Sequence, residues 1–159
     1  MHFIKPEFYV LLVIFFAQGC VNKDDPYAAQ ANANLVFRGL NYSSGTNNTA
    51  GGNVHFTNGT TQGVWARFAT LPNGSVSTFK IVRGPASLLA NDEMVFQVDF
   101  GDTDNWYSTG ADNKITTVSK DYYGDVTVTV PPVSVQRFLN GVMQSDSTTA
   151  SATLFYRKP

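Results

Sequence analysis

The sequence predicts one all-β domain of eight to nine short strands. Two observations favour this class. From Leu35 onward, short runs that alternate apolar and polar residues are separated by Gly, Asn, Asp and Pro. No segment has the apolar stripe at three- and four-residue spacing that marks an amphipathic helix. Short strands at regular spacing favour a β-sandwich, of which the immunoglobulin-like form is one version, and an up-and-down β-barrel is the alternative.

Each predicted strand is bounded by residues that favour turns. Asn58-Gly59 and Asn140-Gly141 predict tight hairpins, because both residue types tolerate a positive φ. Pro131-Pro132 is expected to end a strand, because proline cannot donate to a ladder. The predicted strands cover residues 35–40, 53–57, 61–70, 76–83, 93–100, 114–119, 125–130, 133–139 and 150–157. Residues 43–52 and 101–113 are polar and are predicted to be loops.

Two strands have a clear two-residue period. In residues 93–100, Met94, Phe96, Val98 and Phe100 share one face, and Glu93, Val95, Gln97 and Asp99 share the other. In residues 61–70, Trp65 and Arg67 lie on the face opposite Val64, Ala66 and Phe68. Successive side chains of a strand point to opposite faces, so the apolar set is expected to be buried.

The N-terminus has the pattern of a secretory signal. Residues 8–17 form an uncharged apolar run of ten residues. A membrane-spanning helix needs about 20 apolar residues, so this run is too short to be one and instead fits the apolar core of a signal peptide. Ala17-Gln18-Gly19-Cys20 follows directly.

Ala17-Gln18-Gly19-Cys20 resembles the relaxed lipobox of Bacteroidota-type bacterial lipoproteins. The resemblance implies cleavage before Cys20 and attachment of lipid to its thiol, and therefore a membrane anchor without a transmembrane helix. Lys23-Asp24-Asp25 resembles the surface-export signal of the same group. The implied location is the outer membrane, with the domain exposed at the cell surface.

These features divide the chain into three parts. Residues 1–19 are the predicted signal peptide, residues 20–34 a flexible tether, and residues 35–159 the all-β domain. The tether assignment rests on the near absence of large apolar residues in it.

Composition excludes several classes of function. The 11 basic and 12 acidic residues nearly balance and form no basic block, which argues against a nucleic-acid binder. A single Cys excludes an intrachain disulfide framework and a multi-cysteine zinc site. Once residues 1–19 are removed, His55 is the one remaining imidazole, and we expect it to be a strand residue facing solvent rather than a catalytic base. The sequence therefore predicts a protein that is not an enzyme.

Asp99, Asp102 and Asp104 offer the one candidate metal site. They cluster in the segment DFGDTDN, and calcium prefers several oxygen ligands from one loop. The spacing only partly matches a calcium loop and lacks the closing Glu. The alternative is a polar turn in which the Asp side chains bond their own backbone.

Aromatic residues in predicted loops provide the main indication of function. Trp106 and Tyr107 lie in one loop, Tyr122 and Tyr123 lie in another, and Trp65 is a further candidate on its strand. Such rings combine apolar area with a polar tip and suit stacking against a sugar or a partner protein. The expected function is non-enzymatic binding or adhesion in the cell envelope, with a glycan or an envelope protein as ligand. The alternative is a structural or assembly lipoprotein of the outer membrane with no small ligand.

Overall fold

Eleven β-strands make up the regular structure of the part of the chain that the computed structural model describes, residues 32–58, 62–72 and 76–156. In chain order they are β1 Asn32–Phe37, β2 Leu40–Ser44, β3 Thr46–Ala50, β4 Asn53–Asn58, β5 Gln62–Phe68, β6 Val76–Ile81, β7 Glu93–Phe100, β8 Asp104–Ser108, β9 Ile115–Lys120, β10 Val126–Leu139 and β11 Val142–Tyr156. The predicted all-β class is confirmed.

Five of the strands close into a ring. β6 pairs with β7, β7 with β8, β8 with β10, β10 with β9, and β9 again with β6. Pairing is antiparallel throughout except between β6 and β7. This closed five-strand barrel is consistent with the barrel alternative, although the parallel pair departs from a simple up-and-down order.

Two flaps extend the barrel. β11, β1 and β2 continue the sheet from β10, and β5, β4 and β3 continue it from β7, so that β2 and β3 are the two ends of one eleven-stranded sheet. These two strands are also consecutive in the chain, with only Gly45 between them. A cleft lined by β1–β2 and β4–β5 residues, among them Leu35, Tyr42 and Val64, marks where the flaps face each other.

The inner faces of ring and flaps share one apolar core. The largest fully buried side chains include Trp106, Phe56, Phe96, Ile81 and Leu154. They come from β8, β4, β7, β6 and β11, so burial of apolar area, the main driving force of folding, fixes flaps and ring together. The alternation predicted for residues 53–57 and 61–70 is confirmed, because Val54, Phe56, Val64, Ala66 and Phe68 are all buried.

The hairpins depend on residues with positive φ. Asn140 (φ 52°) and Gly141 (φ 77°) form the predicted turn between β10 and β11. Arg38 (φ 53°) and Gly39 (φ 76°) make the same kind of turn between β1 and β2. Two consecutive residues of positive φ give the turn twist that matches antiparallel strands.

Three expectations about strand boundaries are corrected. Pro131-Pro132 does not end a strand, because β10 passes through it with a register shift between Val130 and Val133, and a bulge accommodates the missing donors. Both predicted polar loops contain strands: β3 and the last two residues of β2 lie within residues 43–52, and β8 lies within residues 101–113. β1 begins at Asn32, three residues before the first predicted strand.

Across the described ranges, no helix has the length and apolar character needed to cross a bilayer.

Candidate functional site

Side chains of four neighbouring strands form rows across the outer side of the sheet. His55, Trp65, Gln97 and Tyr107 occupy directly paired positions on β4, β5, β7 and β8. A second row places Asp99 between Gly63 and Asn105, and a third pairs Arg67 with Val95. We call the outward-facing set the aromatic–amide face; it consists of His55, Trp65, Arg67, Gln97, Asp99, Asn105 and Tyr107.

Stacked aromatic rings form the centre of this face. The imidazole of His55 lies flat against the indole of Trp65, with ring centroids 3.5 Å apart and planes at 8°. The guanidinium carbon of Arg67 lies 4.9 Å from the Trp65 ring, within cation–π range. All three side chains are half-buried, so part of each remains accessible to a ligand.

Hydrogen bonds fix the polar groups beside the stack. Trp65 Nε1 donates to Asp99 Oδ2 at 2.5 Å, and Gln97 Nε2 donates to Asp99 Oδ1 at 2.5 Å. The same Gln97 amide lies 3.4 Å from Asn105 Oδ1. Because both oxygens of the Asp99 carboxylate accept bonds from neighbouring side chains, the aspartate orients the indole and the amide relative to each other.

Gly63 lies beneath the polar atoms of the stack. A Cβ at this position would lie 3.0 Å from His55 Nε2, 3.4 Å from Asp99 Oδ2 and 3.5 Å from Trp65 Nε1. The absence of a side chain therefore allows the imidazole, the carboxylate and the indole to pack closely over the β5 backbone.

The segment after β6 borders the face on its other side. Ser108 Oγ donates to the carbonyl of Val82 at 2.6 Å, and Gly84 N donates to the carbonyl of Ser108 at 2.9 Å. A Cβ on Gly84 would lie 2.7 Å from Val95 Cγ1 and 2.8 Å from Tyr107 Cδ1. The segment therefore packs closely over β7 and supports the Tyr107 ring, which explains why Val95 is buried although it points away from the core.

Burial and the Arg67 charge perturb the ionisable groups of the face. The pKa of His55 is lowered, first by burial and then by Arg67, which favours the neutral imidazole. Burial raises the pKa of Asp99, while the hydrogen bonds from Gln97 and Trp65 oppose that shift. Burial also raises the pKa of Tyr107, so that its hydroxyl stays protonated.

Two polar atoms of the face are buried without a partner among the described residues, Arg67 Nε and Gln97 Oε1. A buried polar atom without a hydrogen bond costs about 1–3 kcal/mol of stability. Each such group in a folded protein calls for a physical explanation, and a bound ligand or water is one of them.

Trp106 does not belong to the accessible aromatics, and its prediction as a ligand-binding residue is wrong. It lies on the inner side of β8 with only 2% of its surface exposed. Its ring packs at 5.2 Å against Phe37 in a T-shaped arrangement. The period-two alternation of β8 gives the physical reason, since Trp106 points into the core while its neighbour Tyr107 points outward.

Tyr122 and Tyr123 are exposed, at 96% and 58%, in the turn between β9 and β10. Their rings contact each other at 5.4 Å, and Asp121 Oδ1 accepts a hydrogen bond from Tyr123 N. This turn precedes the start of β10, whereas Tyr107 pairs with Gln136, ten residues along the strand. At about 3.3 Å per residue, the two aromatic groups are about 30 Å apart along β10 and cannot form one site.

The predicted calcium site is not formed. Asp104 holds Arg137 through two hydrogen bonds of 2.8 Å, and Asp99 accepts from Trp65 and Gln97. In the part of the chain that the structure describes, no three His, Cys, Asp or Glu side chains come together as a metal site. The carboxylates are engaged by protein donors instead of converging on a common point.

Sequence reasoning found part of this face. Trp65, Tyr107 and Asp99 were predicted as site residues, although Asp99 was assigned to a metal. Gln97, Asn105 and Gly63 were missed, and His55 was expected to be a plain surface residue. His55, Gln97 and Asp99 each lie between two apolar residues of a strand, which marks an outward-facing position. Which of these positions become neighbours depends on the strand pairing, which the local pattern does not encode.

Cys20, the predicted lipid attachment point, lies outside the described residues, as do the signal peptide and most of the tether. Comparison of the chain with protein-family models, with curated proteins and with solved structures finds no match.

Proposed function

We propose that this domain is a non-enzymatic glycan-binding module, held at the bacterial outer membrane through a lipid on Cys20. The observation that carries the proposal is the composition of the aromatic–amide face. Half-buried rings, two side-chain amides and a carboxylate lie next to one another on rigid, paired strands. Rings of this kind offer apolar area to the faces of a sugar, and the partly exposed Asn105 amide suits its hydroxyls, while the buried Gln97 amide holds Asp99 in place.

The arrangement is preorganised, which supports a binding role. Trp65, Gln97 and Asp99 are linked by hydrogen bonds, and Tyr107 is supported by the segment around Gly84. A ligand would therefore lose little free energy in ordering side chains on binding.

Affinity gel electrophoresis tests the proposal. The domain is run through gels containing laminarin, xylan, alginate, hyaluronan or polygalacturonate, and we expect at least one of these to retard it. Trp65→Ala should abolish the retardation, whereas Tyr122→Ala, which removes a distant and fully exposed aromatic ring, should not. Circular dichroism of both variants checks that the fold is intact.

Two outcomes would overturn the proposal. One is the absence of retardation by every polysaccharide. The other is retardation that survives Trp65→Ala but is lost in Tyr122→Ala, which would place the binding site at the β9–β10 turn.

A second candidate is a structural or assembly role without a small ligand, and the exposed pair Tyr122 and Tyr123 favours it. Exposed tyrosines are frequent anchors of protein interfaces. This role predicts that the native lipoprotein runs in a larger membrane complex on a blue native gel. It also predicts that the double variant Tyr122→Ala with Tyr123→Ala runs as the free protein while remaining membrane-bound.

A further inference from the structure

We infer that the aromatic–amide face binds an acidic saccharide, and that Arg67 holds its carboxylate. This inference rests on the proposed glycan binding and adds the chemical class of the ligand. Three features of Arg67 support it: the position of the guanidinium, its contacts and the groove beside it.

Arg67 is a fixed cation without an anionic partner. The side chain is half-buried on β5, and no hydrogen bond or ion pair joins it to another described residue. Arg137 makes the contrast clear, because Asp104 and Asp146 bind that guanidinium at 2.8 and 3.3 Å. A guanidinium that has lost hydration without gaining an acceptor is poised to bind an anion from outside.

The orientation of Arg67 is set by its neighbours. Its guanidinium lies over the Trp65 ring. Its positive charge acts to lower the pKa values of His55, Asp99 and Tyr107. Asp99, the one carboxylate of the face, is occupied by donors from Trp65 and Gln97. The accessible nitrogens of Arg67 are therefore available to a ligand.

A groove of suitable size begins at Arg67. It is an open groove of about 350 Å³ between the ends of β4–β5 and the segment of residues 86–89. Asn53, Arg67 and Ser87 supply polar groups to its lining, and Leu88 and Leu89 supply apolar ones. This volume falls within the usual range for small-ligand sites, and Arg67 joins the groove to the rest of the face.

The charge count favours a carboxylate over a more highly charged group. Arg67 is the single permanent cation of the face, and the Asp99 carboxylate, which accepts hydrogen bonds from Trp65 and Gln97, partly offsets its charge, so the face suits one negative charge rather than several. The planar fork of arginine pairs with the two oxygens of a carboxylate in a bidentate manner. A uronic acid residue combines this group with the ring faces and hydroxyls that the rest of the face suits.

The test uses chemically matched polymers. Polygalacturonate, alginate and hyaluronan are each compared with their carboxyl-reduced forms, which keep the backbone but lack the charge. We expect the wild-type domain to bind at least one acidic polymer about 10- to 100-fold more tightly than its reduced form, as expected for a charge-assisted hydrogen-bonded pair. Arg67→Gln should remove this preference while leaving weak binding to both forms, and Arg67→Lys should retain part of it.

Lys80→Gln is the matched control, because it removes one exposed positive charge from β6, outside the face. It should leave the preference unchanged. Two results overturn the inference while the proposed function stands. One is equal binding of acidic and reduced polymers by the wild-type domain. The other is an equal loss of preference in Arg67→Gln and in Lys80→Gln. Binding to sulfated dextran but to no uronate polymer also overturns it. A lack of binding to any polymer overturns the proposed function as well.

Discussion

Trp65 and Asp99 are joined diagonally across β5 and β7, where the indole Nε1 donates to Oδ2 at 2.5 Å. The same carboxylate accepts from Gln97, so one side chain organises two strands of the face. Neither residue pairs directly with the other in the ladder, because Trp65 is opposite Gln97 and Asp99 is opposite Gly63. The absence of a side chain at Gly63 leaves room for this diagonal contact.

Replacing Asp99 is expected to destabilise the domain. Asp99→Ala leaves the Trp65 and Gln97 donors without an acceptor in a half-buried position, at a cost of about 1–3 kcal/mol in the free energy of unfolding. Asp99→Asn keeps one oxygen as an acceptor and should cost less. Urea denaturation followed by fluorescence measures both values, and equal stability of Asp99→Ala and the wild type would contradict the assigned hydrogen bonds.

His55 is expected to make stability fall as the pH drops below 6.5. Its pKa in the folded protein is lowered from 6.5, by burial first and by Arg67 second. Below pH 6.5 the unfolded chain therefore binds a proton that the folded chain resists, and the stability present above pH 6.5 is lost as the pH falls through the folded pKa.

The variant His55→Gln removes this ionisable group and serves as the reference. Below pH 6.5, the unfolding free energy of the wild type minus that of the variant should decrease as the pH falls. Urea titrations at steps of half a pH unit measure this difference. Parallel curves would show that the folded state does not resist protonation of His55. Asp99 has the opposite sign, because its raised pKa makes stability fall as the pH rises through it.

The class of the fold could be read from the sequence because local signals determine it. Period-two alternation identified the buried faces of β4, β5 and β7, and Asn140-Gly141 identified a hairpin. Strand order could not be read in the same way. Closure of the ring depends on β7 and β10 each pairing along one edge with two different strands, a non-local arrangement that local patterns do not encode.

The candidate site, like the fold, could be predicted from the sequence only in part. The alternation placed Trp65 and Arg67 on an outer face, but only the pairing of β5 with β7 and of β7 with β8 brings Gln97 and Tyr107 beside them. Trp106 was misassigned because its polar neighbours in DTDNWYS resemble a loop. Those neighbours belong to a short strand, in which Asp104 is tied to Arg137 and Ser108 is buried.

Gly84 is expected to tolerate no side chain. A Cβ there would fall within 3.0 Å of both Val95 and Tyr107 side-chain atoms, so Gly84→Ala should cost about 1–3 kcal/mol of stability by overpacking. Because Tyr107 would have to move, polysaccharide retardation should weaken too. Gly45→Ala is the control, since a Cβ at Gly45 meets nothing within 4 Å. Thermal melts that rank the two variants equally would argue against the packing of the 82–84 segment on β7.

Calcium is expected to leave the domain unchanged. Asp104 is saturated by Arg137, and Asp99 by Trp65 and Gln97, so a cation would have to displace strong protein contacts. Differential scanning fluorimetry with 5 mM calcium chloride, at constant ionic strength, should give a melting temperature within about 1 °C of that in EDTA. A larger stabilising shift would be evidence for a calcium site. The variant Asp102→Asn would then show whether the exposed Asp102 carboxylate binds the ion.

The lipid anchor predicted from Ala17-Gln18-Gly19-Cys20 is tested on the full chain expressed in a bacterium with lipoprotein processing. The mature protein should begin at Cys20, carry two or more acyl chains by mass spectrometry, and partition into the detergent phase of Triton X-114. Two chains anchor a protein stably where a single one does not, so this partitioning should be nearly complete. Cys20→Ser removes the thiol that accepts the lipid and should move the protein to the aqueous phase, while the separately expressed domain from residue 32 onward should stay aqueous in either case. An unmodified N-terminus at another residue would contradict the predicted anchor and, with it, the outer-membrane location. The polysaccharide test would still apply, because the aromatic–amide face is built entirely from strands β4 to β8.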